Sequence, residues 1–155
     1  MNVNEFITFL IDNRLITPNI TTNDDEAFNN RLKIQKYVLI ARRLGLIDKD
    51  YNYDIYIRGP YSSDLADEYY VYEPCKYNIP KEKEKAVDRF LSIVKDKDNN
   101  WLEIAGTALH INIRNKELEN VEWLTIKAKG YKYPKEKIKE IIKELINYKL
   151  LDINN

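Results

Sequence analysis

Histidine and cysteine are the side chains best suited to nucleophilic or metal chemistry, and the sequence holds one of each, His110 and Cys75. A zinc site needs several thiolate or imidazole ligands, so one Cys and one His exclude it. His110 lies in the apolar run "WLEIAGTALHINI" and reads as a core or boundary histidine, with a general base as the alternative. Cys75 follows Pro74, has no activating motif beside it and reads as a packing residue. Four glycines leave no phosphate-cradling loop and no dinucleotide fingerprint. Ser62 and Ser63 follow Gly59-Pro60-Tyr61, but the two glycines that would flank a nucleophile elbow are missing. Asp64, Asp67 and Glu68 fall within about one helical turn. They would complement the positive end of a helix more readily than they would hold a hard cation. The expectation is a non-enzymatic protein with no cofactor and no metal.

What remains is cationic. Between Lys127 and Lys143 seven lysines face two glutamates, Glu136 and Glu140, a local charge of +5. Tyr131 and Tyr133 interleave with them. Lys127, Lys129, Tyr131, Lys132, Lys135, Lys139 and Lys143 are therefore candidate nucleic-acid-binding residues on a basic helix–turn–helix, the alternative being a solvated lysine face. The outer face of the last helix lacks the Arg and Gln that direct base readout favours.

The bulk composition limits the partners. The 155 residues have zero formal net charge, 44% hydrophobic and 32% charged content, as in an ordinary globular domain without a global field for nucleic acid or membrane. Residues 1–80 carry 9 basic and 12 acidic side chains and residues 81–155 carry 16 and 13, a small tilt of −3 against +3. No apolar run is long enough to span a membrane, and the opening "MNVNEFITFLIDNRL" lacks the basic start of a secretory signal. A single cysteine fits a reducing, cytoplasmic setting. One domain spanning 1–155 is expected.

Several elements must position these groups. Phe6, Ile7, Leu10 and Ile11 predict a helix over residues 2–15, followed by a polar linker to residue 26. A long helix follows, capped by Thr22 or Asn23, with Phe28, Leu32, Gln35 and Leu39 on one stripe beside Ile34, Val38 and Ala41, and closed by Gly45. Residues 53–58 alternate as a short strand that Gly59-Pro60 ends, and a helix starts at Ser62 or Ser63. A helix over about residues 81–96 turns Ala86, Val87, Phe90, Ile93 and Val94 inward. Residues 101–151 predict three helices. The first is a core helix capped by Asn99 or Asn100, the second ends at Gly130, and the third has Pro134 in its first turn and Ile138, Ile141, Ile142, Leu145 and Ile146 on one face.

The fold class expected is mainly α, a helical bundle with one short β segment. The last third resembles the trihelical core of winged-helix domains, in a wingless or degenerate form because only a few residues follow the last helix.

The combination "RLKIQKYVLIARRLGL", a short strand and "GPYSSDLAD" resembles the YwgA-like group of small prokaryotic proteins, which carry a K-L-Q-K helix, a strand and a G-P-Y-S-x-x-L corner. "WLEIAGTALHI…KGYKYPKEKIKEIIKEL" is similar to the second half of archaeal members, and the layout is more distantly like the Panacea-type antitoxin domain. The resemblance covers residues 27–150. It implies a helical domain of winged-helix ancestry in a regulatory or mobile-element gene, and brings no catalytic residues. The expected partner is duplex DNA or a protein such as a toxin or nuclease, with a homodimer left open.

Within the corner, Gly59 and Pro60 shape the turn, Tyr61 buries its ring and a serine caps the helix. Gln35, Lys36, Arg58 and Tyr61 form a junction or recognition site, satisfying one another or lining a small pocket.

Overall fold

Helix caps set the frame, and several are made by a specific side chain. The computed structural model describes residues 1–154. In helix α1 (Val3–Asp12) Asn2 and Glu5 form a reciprocal capping box, the Asn2 side chain accepting from the Glu5 amide at 2.8 Å. Helix α2 (Asp25–Arg43) is capped by Asp24 rather than by Thr22 or Asn23. The Asp24 carboxylate accepts from the Ala27 amide at 2.8 Å while Thr22 and Asn19 donate to it, and these bonds hold it below the usual carboxylate range. Thr22 thus supports the cap instead of being it.

Three helices close with the same reverse turn. After α2 the Leu46 amide donates to Ala41 O at 2.9 Å, with Gly45 at φ +80°. After α1 and after α7 (Lys135–Asn147) the left-handed position is held by Arg14 and Lys149, both at φ 58°.

Between α2 and the short helix α3 (Ser63–Tyr69) the chain makes a hairpin, not a single strand. Strand β1 (Asp54–Tyr56) pairs antiparallel with β2 (Gly59–Tyr61), in register Asp54 with Tyr61 and Tyr56 with Gly59. The Gly-Pro pair expected to end the strand therefore begins the returning one. Ile57 and Arg58 turn without a positive φ, and the left-handed conformation falls on Gly59 at φ +96°, the device of a glycine bulge. Pro60 is tolerated because a two-stranded ribbon has free edges.

A 3-10 turn at Lys81–Lys83 leads into α4 (Glu84–Val94), a few residues later than the periodicity suggested. Its Val87, Phe90, Ile93 and Val94 are buried. Phe90 meets Phe6, Phe9 and Tyr37 with ring centroids 5.4–6.0 Å apart, joining α1, α2 and α4.

Helix α5 (Asn99–Asn112) is the axis of the molecule. Asp98 caps it through the Trp101 amide, where Asn99 or Asn100 was expected. Residues 101–109 are all buried, because α2, β2, α6 (Leu118–Lys129) and α7 pack around this helix. Pro134 is the N-cap of α7, one position before the first turn.

The buried apolar residues form one cluster from Val3 to Leu150. The protein is mainly α with one short β segment, as the composition and periodicity predict. Two stripes differ from expectation. In α2 the buried side runs through Ala27, Ile34, Val38 and Ala41 while Phe28 lies exposed, and in α7 Ile146 is exposed beside its buried neighbours. No helix among the described residues is long and apolar enough to cross a membrane.

Candidate functional site

The Gln35-Lys36 pair of α2 meets the Gly-Pro-Tyr-Ser corner directly. The Gln35 side chain accepts from the Ser62 amide at 2.9 Å and donates to Ser62 O at 3.0 Å, bridging both backbone groups of one residue. Ser62 itself caps α3 by accepting from the Leu65 amide. Lys36 is 3% exposed and donates to Pro60 O at 3.0 Å. Its stem explains two glycines. A Cβ on Gly59 would lie 3.2 Å from Lys36 Cε, and one on Gly106 would lie 3.3 Å from Lys36 Cγ.

Beneath the hairpin sits a buried carboxylate that the sequence reading did not single out. Glu103, 5% exposed on α5, pairs with Lys129 at 3.2 Å and with Lys132 at 2.8 Å. Lys129 is 1% exposed, and it also donates to Ile57 O at 2.8 Å and, more distantly, to Tyr56 O. The turn of the hairpin is therefore fastened by a side chain from α6. Lys129 belongs to the row Val121, Thr125, Lys129, all buried, so helical spacing alone would have placed it inside. Its counting as part of a phosphate-facing surface is corrected: the amine is sealed against Glu103 and two carbonyls. A lone acid within the apolar run of α5 was the sequence signal for Glu103.

Charge in this cluster is unevenly matched. Lys36 has no carboxylate within ion-pair distance among the described residues, since Glu103 is engaged by the other two lysines. Burial pulls its amine down to about 8, with Lys129 and Arg58 pushing the same way and Glu103 opposing. The Glu103 hydrogen bond instead raises Lys132. Arg58 stacks over the exposed Phe28 ring at 5.1 Å, and Tyr61 packs edge-on to Tyr56 at 5.5 Å. Lys33, Lys36, Arg58 and Lys132 border a small cleft of about 50 Å³, closed by Asn99, Asn100 and Glu103.

The other cationic candidates spread apart. Lys127 lies over the exposed Trp123 ring at 5.0 Å, and Tyr131 is exposed. Lys135, Lys139 and Lys143 stand exposed along one side of α7, with Glu136, Glu140 and Glu144 in the neighbouring row. Tyr133 is buried, its hydroxyl bonded to Asn100.

His110 is half-buried at the edge of a broad cleft of about 570 Å³ with Tyr53, Asp54 and Arg114. Burial and Arg114 lower its basicity, and its Nδ1 has no hydrogen-bond partner among the described residues. Cys75 Sγ lies 3.6 Å from Thr8 Oγ1. Glu68 pairs with Lys49 at 3.4 Å, while Asp64 stands in the first turn of α3. No group of three potential metal ligands occurs among the described residues.

No family model, no curated protein and no solved structure matches this chain.

Proposed function

We propose that this protein is a non-enzymatic binding protein whose partner is another protein chain, docked at the tip of the β1–β2 hairpin. The observation that carries the reading is the pairing of an exposed apolar tip with a fixed backbone. Ile55, Tyr56 and Ile57 are exposed, Ile57 at 76%, while Lys129, itself paired with Glu103, holds the carbonyls of Tyr56 and Ile57 behind them. Exposed aliphatic and aromatic side chains on a pre-ordered turn lose little conformational freedom on binding, which is what an interaction loop requires. The resemblance to antitoxin-like domains extends this to a toxin or nuclease as the partner class.

A photo-crosslinking residue at position 57 identifies the partner. Titration of that purified partner then compares the wild-type chain with Ile57→Asp. A weakening of about tenfold or more with an unchanged circular-dichroism spectrum is expected. Equal affinity of both chains, with the partner crosslinking elsewhere, would remove the reading.

A second reading is favoured by the exposed row Lys135, Lys139, Lys143, which could track a phosphate backbone in duplex DNA. A salt-dependent fluorescence titration with duplex DNA tests it. Loss of binding on replacing all three lysines by Glu supports it, whereas affinity no greater than that of a neutral control protein ends it.

A further inference from the structure

We propose that the cleft bordered by Lys33, Lys36, Arg58 and Lys132 binds a small oxyanion of the phosphate class, either inorganic phosphate or the head of a phosphate monoester. The site is built rather than incidental. Lys36 is brought into the interior by Gly59 and Gly106, whose missing side chains make room for its stem. Its amine uses one donor on Pro60 O and has no carboxylate of its own among the described residues. Retaining an unmatched buried ammonium is unfavourable unless something compensates it.

The cations bordering this space come from three separate elements. Lys33 and Lys36 rise from α2, Arg58 from the hairpin turn and Lys132 from the segment after α6. With Lys129 behind them, five cations stand against the one carboxylate of the cleft lining, Glu103, which pairs with Lys129 and Lys132. Besides Glu103, Leu32 and Leu102, the remaining wall is the first turn of α5, where Asn99 and Asn100 sit at the positive end of a 14-residue helix. The Asp98 carboxylate nearby is occupied in capping the Trp101 amide.

Size sets the class of ligand. The cleft volume of about 50 Å³ is several times the roughly 10–15 Å³ that admits one water. It suits one tetrahedral head group and is too small for a nucleoside. Arg58 supplies the planar donor fork that matches an oxyanion bidentately.

This inference stands apart from the docking reading, because the cleft is tested without any partner protein. Thermal melts are run in phosphate, in phenyl phosphate and in chloride at matched ionic strength. The wild-type chain is compared with the double variant Lys33→Gln, Arg58→Gln, two positions at the cleft rim. Phosphate at about tenfold over its Kd is expected to raise Tm by about 3 °C or more above chloride, and the double variant to lose that rise. Phenyl phosphate acting like phosphate identifies a monoester head as an acceptable ligand, and phosphate alone acting narrows the site to the free ion. A wild-type melt no higher in phosphate than in chloride overturns the proposal. So does a folded double variant that keeps the full shift.

Discussion

Replacing Lys36 by Met isolates the effect of one buried, unmatched ammonium. The folded chain holds this amine at about 8 against an ordinary value of 10.5, because burial opposes its charged form. That displacement corresponds to roughly 3 kcal/mol of destabilisation at neutral pH. Met keeps the unbranched stem beside Gly59 and Gly106 but removes the charge. It also leaves Pro60 O without its donor, which costs about 1 kcal/mol. The variant is thus expected to be more stable than wild type by about 2 kcal/mol near pH 7, with the anion site unoccupied.

The advantage depends on pH in a determined direction. On raising the pH the folded chain gives up this proton first, while the unfolded chain keeps it to about 10.5. Wild-type stability therefore rises through that window, and the advantage of Lys36→Met shrinks to about zero near pH 10. Urea unfolding at both pH values reads the effect, since about 2 kcal/mol moves the midpoint by roughly 1 M at an m-value near 2 kcal/mol/M. A less stable variant near pH 7, or a difference unchanged between the two pH values, would refute the reasoning.

Other substitutions test the supporting contacts. Glu103→Gln leaves Lys129 buried without its carboxylate and should lose about 3 kcal/mol or more in urea unfolding, while Glu103→Leu with Lys129→Met should recover most of that. Gly59→Ala forces a side chain into a left-handed position and against Lys36, so a loss of about 1–2 kcal/mol is expected by the same assay. Lys149→Gly relieves the left-handed position that closes α7 and should raise stability by about 0.5–1 kcal/mol, seen as a higher Tm.

Helices were legible in the sequence because apolar residues recur at helical spacing and polar residues mark their ends. The caps themselves slipped by a position or two, since Thr22, Asn23, Asp24 and likewise Asp98, Asn99, Asn100 are chemically similar candidates and only geometry selects one. The hairpin was hidden because Gly59-Pro60 reads locally as a stop. It becomes the start of a strand only when Lys36 and α5 lie against it.

The junction residues Gln35, Lys36 and Arg58 were visible as polar groups at an expected packing joint. The cleft that Lys36 and Arg58 share was not visible, because Glu103 and Lys132 lie 67 or more residues from Lys36 along the chain and no local pattern links them. Lys129 was miscounted by composition: seven lysines in a row of text look like one surface, whereas helical spacing turns this one inward.

Lys129 grips the hairpin through the carbonyls of Tyr56 and Ile57, and every amino acid carries a carbonyl. The shape of the turn is thereby uncoupled from the identity of its side chains. Positions 55 to 57 are free to drift in sequence without loosening the backbone they ride on, provided that Glu103 and Lys129 stay together. A chain built this way can change what it recognises by substituting a few exposed residues, while the machinery that presents them is inherited intact.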